Sequence, residues 1–434
     1  MVLDWSLVTG VVPAVVFVLG CVAMVFLLWP RPERRWGRTA MVAATVAGAG
    51  VAAAMAAVAL AAPFPDPVPA VVWWSLGVVL SAASVAAMVV ATRPRRPEFG
   101  SAVVAAAVLV AVAAGSQVNV YFAQFPTARA LFALPAANQV DLPQVTRAAS
   151  VLVTRPSGGP LDAVWRPPPG MPGAGTVSEI PVPGPLSGFR ARPAWVYLPP
   201  AYAASPRPQL PVLVLLAGQP GSPRDWLDGG RLAVTMDRFA AAHGGLAPVV
   251  VVPDALGSAM ANPLCLNSRL GQVQTYLTVD VPAWIRGHLQ IDPSPAGWAV
   301  GGSSAGGTCA LQLAVNRPAV YSTFVDISGQ SGPTLGDRPR TVAAAFGGDT
   351  AAFAAVDPLD QLARNRYPAT AGFLVAGTGD PVYRPQAQQV VAAARRAGMD
   401  VRYRELPGGH DWRLSGTGLE TALPWLATRL HLTG

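Results

Sequence analysis

The stretch WAVGGSSAGGTCALQL, Trp298–Leu313, passes from an apolar segment through a nest of glycines into a run with helical character, and two adjacent serines sit at the changeover. A sharp strand-to-helix turn that displays a nucleophilic hydroxyl needs small residues two before and two after the serine, because the neighbouring backbone comes too close for a Cβ. Ser304 has Gly302 and Gly306 at those positions, whereas Ser303 has Gly301 behind it and Ala305 ahead. The motif selects Ser304. A Gly/Ser-rich turn without chemistry has the same composition, so the choice depends on what the rest of the chain supplies.

A serine hydroxyl attacks poorly at neutral pH unless an imidazole takes its proton, and the imidazole needs a carboxylate to fix its tautomer and stabilise its charged form. Four histidines occur. His243 and His288 close helix-like stretches and His431 is near the end of the chain. His410, in LPGGHDW, directly follows the last strand-like segment. Thirty residues earlier GTGDP offers Asp380, after the preceding strand-like segment. The order Ser, Asp, His, with acid and base each in a loop at a strand's C-terminal end, is the α/β-hydrolase arrangement. Asp326, in TFVDISG, is the competing acid, and Asp411 adjoins the histidine without the geometry to reach its ring. The oxyanion donors expected are the backbone N–H groups of Ala305 and Gln219, since Pro220 has none to offer. Trp226, Asp228 and Trp412 are expected to line the cleft.

The surrounding pattern supports this class. Short apolar runs recur at Ala194–Leu198, Pro211–Gly218, Ala247–Asp254, Gly297–Gly302, Ser322–Ser328, Gly372–Gly377 and Val401–Leu406, separated by helix-like stretches at Leu232–His243, Tyr276–His288, Gly306–Asn316, Pro385–Ala397 and Glu420–Leu430. Strands apolar on both faces and alternating with amphipathic helices argue a mainly parallel, doubly wound α/β sheet. Residues 189–434 are therefore expected to form one α/β-hydrolase domain.

The front of the chain is different in kind. Four runs at about 7–29, 39–62, 68–91 and 102–122 lack charged residues and are long enough to cross a ~30 Å hydrocarbon core. The formal net charge of +8 does not point to nucleic acid, because Arg31, Arg34, Arg35, Arg38, Arg93, Arg95 and Arg96 cluster between the apolar runs. All 31 basic residues are Arg, a bias without chemical content. Both clusters fall on one side, while the opposite connection, Pro63–Pro69, holds only Asp66. The positive-inside bias then puts the arginines in the cytoplasm and everything after the fourth span outside. A cleaved leader followed by soluble helices does not fit, since three further spans follow and the first lacks a basic start. Residues 123–188, with PSGGP, RPPPGMPGAG and PVPGPLSG, read as a Pro/Gly-rich extracytoplasmic tether. The three cysteines support neither a disulfide framework nor a metal site. Cys265 and Cys309 read as buried thiols, with a bridge between them the open alternative.

The segments WVYLPPAY, LLAGQPGSPRDW, TYLTVDVPAWI, GGSSAGG and LPGGHDW resemble the esterase branch of the α/β-hydrolases, which includes esterase D-like enzymes and antigen 85 type mycolyltransferases. With the four-span front, the chain resembles actinobacterial multi-pass membrane esterases. The resemblance implies Ser304 as nucleophile, Asp380 as acid, His410 as base, and Gln219 with Ala305 as oxyanion donors. One departure is Ala217, where family members commonly carry His before the glycine. The expected activity is that of a membrane-anchored serine esterase, acting through an acyl-enzyme on an extracytoplasmic ester such as a lipid or envelope glycolipid, with no metal or organic cofactor. The alternatives are acyl transfer to a sugar or lipid hydroxyl, or a non-catalytic envelope-binding protein on the same fold. A transporter built from the four spans lacks the intramembrane charges such proteins use.

Overall fold

The computed structural model describes residues 2–29, 36–61, 64–92 and 97–434, and the chain divides into two compact units, Met1–Leu134 and Pro135–Gly434. In the first unit, helices α1 (Val11–Leu28), α2 (Trp36–Ala61), α3 (Ala70–Thr92) and α4 (Pro97–Phe122) are each long and apolar enough to cross a membrane. The shortest has 18 residues, about 27 Å at 1.5 Å per residue. Helix α4 packs against both α1 and α3, and α2 packs against α3. Small residues set the spacing: a Cβ on Gly20 would lie 2.2 Å from that of Ala113. The outward faces keep Phe17, Val22, Leu60 and Trp74 exposed, as helices that face hydrocarbon do. Arg31, Arg34, Arg35, Arg93, Arg95 and Arg96, on which the topology expectation rests, lie outside the described residues.

The second unit is built on an eight-stranded sheet. Its strands are β1 (Thr176–Ile180), β2 (Ala194–Leu198), β3 (Val212–Leu216), β4 (Val249–Val252), β5 (Trp298–Ser303), β6 (Thr323–Ile327), β7 (Ala371–Gly377) and β8 (Asp400–Leu406). The spatial order is β8-β7-β6-β5-β3-β4-β2-β1. The six strands from β8 to β4 run parallel, and β2 and β1 are antiparallel additions at one edge. Every residue of β3, β4, β5 and β6 is buried, the signature of a sheet covered on both faces. Each Val or Leu so enclosed contributes about 1.5–3 kcal/mol of hydrophobic stabilisation. Helices α5 (Leu232–Ala242), α6 (Val281–His288), α7 (Ala305–Asn316), α8 (Tyr383–Arg396) and α9 (Trp412–Arg429) belong to this unit. The parallel order places the C-terminal ends of β5, β6, β7 and β8 side by side along one edge.

The segment 123–188 is not a tether. Residues 123–134 belong with the helical unit, and from Pro135 onward the chain is part of the α/β unit. Prolines and glycines break the periodicity, yet the runs between them carry large apolar anchors: Leu142, Leu161, Trp165, Val177 and Val182 are buried in the main core. The Trp165 indole donates to the Gly244 carbonyl (2.8 Å). Thr176–Ile180 forms the edge strand β1, paired antiparallel with β2 from Thr176↔Leu198 to Ile180↔Ala194. Expecting buried thiols is corrected as well: Cys265 and Cys309 form a disulfide, their Cα atoms 5.5 Å apart.

Asp326, near the end of β6, is fully enclosed, with its Oδ1 resting against Gly307 and accepting the N–H of Gly329 (2.8 Å). Burial raises this carboxyl to about 7, against the opposing pull of that one N–H. A carboxyl whose folded value lies above its unfolded 3.8 favours the fold fully below about pH 4, and that contribution is lost as the pH rises through about 7. Asp326→Asn is therefore expected to melt with the wild type near pH 4 and several degrees above it at pH 8. A difference in melting temperature independent of pH would contradict this origin.

Candidate active site

Strand β5 ends at Ser303 and helix α7 begins at Ala305, so the whole change of direction falls on Ser304. Its backbone sits at φ 56°, ψ −124°, sparsely populated for a residue with a Cβ. Close packing enforces this. A Cβ on Gly302 would lie 2.3 Å from the carbonyl of Gly306, and one on Gly306 would lie 2.2 Å from the carbonyl oxygen of Leu216. The Ser304 N–H donates to Ile327 on β6 (2.9 Å), and its carbonyl accepts from the N–H of Thr308 (3.0 Å) and from the Thr308 hydroxyl (3.2 Å). The turn is held at both ends while its side chain remains partly exposed.

The neighbouring serine is placed differently. Ser303 is buried, with its Oγ 2.6 Å from that of Ser415 on α9. Because the Ser415 hydroxyl donates to the Asp411 carbonyl (3.2 Å), Ser303 is the donor in the serine pair. This chain of bonds ties the end of β5 to the residue next to His410.

The structure brings His410 and Asp380 together. His410 Nδ1 lies 3.2 Å from Asp380 Oδ2, and Asp380 is almost wholly buried while His410 is about one-third exposed. The two loops approach closely because they meet at glycines: Gly379 donates to the Gly408 carbonyl (2.9 Å), and a Cβ on Gly377 would lie 2.5 Å from that oxygen. Asp380 Oδ1 accepts the N–H groups of Val382 (3.0 Å) and Tyr383 (2.9 Å). Burial alone would raise the Asp380 carboxyl, but the His410 ring and these two N–H groups outweigh it and hold it below the usual carboxylate value. Its stabilising contribution is present above pH 3.8 and lost as the pH falls through the lowered value. The Tyr383 ring stacks on the His410 imidazole, centroids 3.9 Å apart and planes 17° from parallel. Tyr383 and Ser415 are contacts that sequence reasoning missed, because neither carries a spacing signal.

The remaining candidates divide. Gly218 abuts the turn, where a Cβ would lie 3.0 Å from that of Ser304, and Gln219 is the next residue of that loop, its side chain donating to Met260 O (2.8 Å). Ala305 is the first residue of α7, where the N–H has no acceptor within its own helix. Asp326, one strand earlier than Asp380, is enclosed behind the turn with Gly329. Asp411 caps α9 by accepting the N–H of Leu414 (2.9 Å). His243 and His288 bond carbonyls of their own helices and stack on Phe239 and Trp284. Trp226, expected to line a cleft, is instead completely buried: its indole donates to Leu216 O (2.9 Å) and its ring meets Trp412 edge to face at 5.4 Å. Trp412 is partly exposed and packs over Gly229. Asp228 pairs with Arg224 (2.8 Å), and burial pushes its carboxyl up against that attraction.

Several known proteins are similar to this chain. An uncharacterized protein of Corynebacterium glutamicum is 35% identical over 376 residues, covering 85% of this chain and 84% of its own length. Among solved structures, a ferulic acid esterase superposes with a TM-score of 0.52 at 19% identity, over 59% of this chain and 99% of its own. An S-formylglutathione hydrolase from Agrobacterium tumefaciens covers 60% of this chain and 97% of its own at 20% identity, with a TM-score of 0.49. The family model described as "Putative esterase" matches residues 190–426, more than half of the sequence, and the chain belongs to that family.

Proposed function

We propose that the chain is a membrane-anchored serine esterase in which Ser304 is the nucleophile, His410 the base and Asp380 its orienting carboxylate. The observation that carries this reading is the imidazole–carboxylate pair at 3.2 Å, in loops at the same sheet edge as the constrained turn that displays Ser304. In the first step the Ser304 hydroxyl attacks the ester carbonyl while His410 Nε2 takes its proton. Asp380, through Nδ1, keeps the free lone pair on Nε2 and stabilises the imidazolium. The backbone N–H groups of Ala305 and Gln219 receive the developing oxyanion, each worth about 2.7–4 kcal/mol. Collapse of the tetrahedral adduct returns the proton to the departing alcohol and leaves an acyl-enzyme. Water, activated by the same imidazole, then releases the acid.

The α/β unit is proposed to lie on the extracytoplasmic side, with lipid or cell-envelope esters as substrates. Two independent features support that side: the arginine clusters between the apolar runs and the Cys265–Cys309 bridge, since disulfides persist in oxidising compartments and are reduced in the cytosol. Anchoring beside the bilayer keeps envelope esters at high local concentration.

Ser304→Ala is expected to abolish turnover of an aryl ester, whereas Ser303→Ala retains a substantial fraction. Asp380→Asn should lower kcat by about 10³–10⁴-fold through loss of the correct tautomer. Full activity in Ser304→Ala, or its loss only in Ser303→Ala, would contradict the assignment. For topology, alkaline phosphatase fused after Gly434 should be active in cells and a green fluorescent protein at the same point dark. The opposite pair of signals would place the unit in the cytoplasm.

A further inference from the structure

The two N–H groups proposed for the oxyanion come from different elements, Gln219 from the loop after β3 and Ala305 from the start of α7. Their separation must hold to within a fraction of an ångström, because a misplacement of about 1 Å costs about 10²-fold in rate. One segment touches both. The strap Ala255–Cys265 leaves β4 at Asp254, whose carboxylate accepts the N–H groups of Leu256 and Gly257 and pairs with Arg192 (2.7 Å), which in turn donates to the Gly221 carbonyl. Further along, the strap meets the oxyanion loop. Met260 O accepts from the Gln219 side chain (2.8 Å) and Ala259 O accepts the N–H of Gly221 (3.0 Å).

The strap's far end is fastened to α7. Gln312, buried on that helix, donates to Leu264 O (2.9 Å), and Cys265 is bonded covalently to Cys309. Cys309 is four residues after Ala305, and so lies on the same face of the helix. At this junction Leu264 and Cys265 both adopt left-handed backbone, φ 65° and 57°, a conformation that persists only where surrounding bonds dictate it. Asn262 adds a clamp, donating to Thr334 O (3.2 Å) and accepting the N–H of Leu264 (3.1 Å). Between the strap and the helix lies a cavity walled by Ala217, Leu264, Cys265, Ala305, Thr308 and Cys309.

Resting on the esterase reading above, we infer that the disulfide-stapled strap is a positioning device for the oxyanion site: Cys265–Cys309 and Asn262 fix the Gln219 loop against the start of α7, so cutting the bridge weakens transition-state binding more than substrate binding.

The test uses the full-length chain in detergent micelles with Cys21→Ser, so that the bridge is the sole source of thiols. Kinetics on a nitrophenyl ester and inhibition by a trifluoromethyl ketone, which forms a tetrahedral adduct, are measured before phosphine reduction, after it and after reoxidation. The expected result is a kcat lower by tenfold or more, ketone affinity lower by a similar factor, KM within twofold, an unchanged circular dichroism spectrum and recovery on reoxidation. Asn262→Ala, with the bridge intact, should lower kcat in the same way by a smaller factor. Unchanged kcat after reduction, or loss of activity together with loss of folded signal in both the reduced chain and Asn262→Ala, overturns the inference. No turnover by the oxidised chain would instead contradict the esterase reading, and this inference with it.

Discussion

The backbone of one residue organises the α/β unit's edge. Ser304 is forced to φ 56° because strand β5 must turn into helix α7 with no intervening loop, and the turn is tight enough that Gly302, Gly306 and Gly218 each abut it. Strain of this kind costs on the order of 1–3 kcal/mol and survives only where its surroundings over-determine it. Here they do so through the bond to Ile327 on β6 and the first turn of α7. The same closeness that excludes side chains from the flanking positions brings the Gln219 loop beside the serine.

Much of this was legible because the local chemistry is demanding. Few sequences place glycines on both sides of a serine between an apolar strand and a helix, and the parallel order that follows obliges the loops after β7 and β8 to meet at that edge. That His410 and Asp380 lie together could therefore be read from chain order, which left Asp326 as a competing carboxylate. Choosing between adjacent serines followed from the same steric rule, and the structure gives Ser303 a different task, as the buried donor to Ser415.

What was not legible depended on long-range packing. Strand β1 is short, has polar Ser178 and Glu179 within it and is flanked by Pro/Gly runs, so its sequence resembles a loop. Only its pairing with β2 makes it a strand. Trp165 and Leu161 are isolated anchors in an aperiodic segment, and no local pattern reveals that they reach the core. Trp226 misled for the opposite reason: an aromatic residue close to a catalytic motif suggests a cleft, yet its indole is needed to satisfy the Leu216 carbonyl beneath the turn. Cys265 and Cys309 lie 44 residues apart, and their approach depends on a strap whose path is set by Asp254, Asn262 and Gln312.

The most direct measurement is the site of covalent modification by a fluorophosphonate, which reacts with a serine only when an imidazole activates it and an oxyanion site stabilises the adduct. Tandem mass spectrometry of the labelled peptide spanning Trp298–Leu313 distinguishes the two hydroxyls. Modification is expected at Ser304 and absent in His410→Ala. Modification at Ser303, or labelling of Ser304 that is indifferent to His410, would contradict the proposed chemistry.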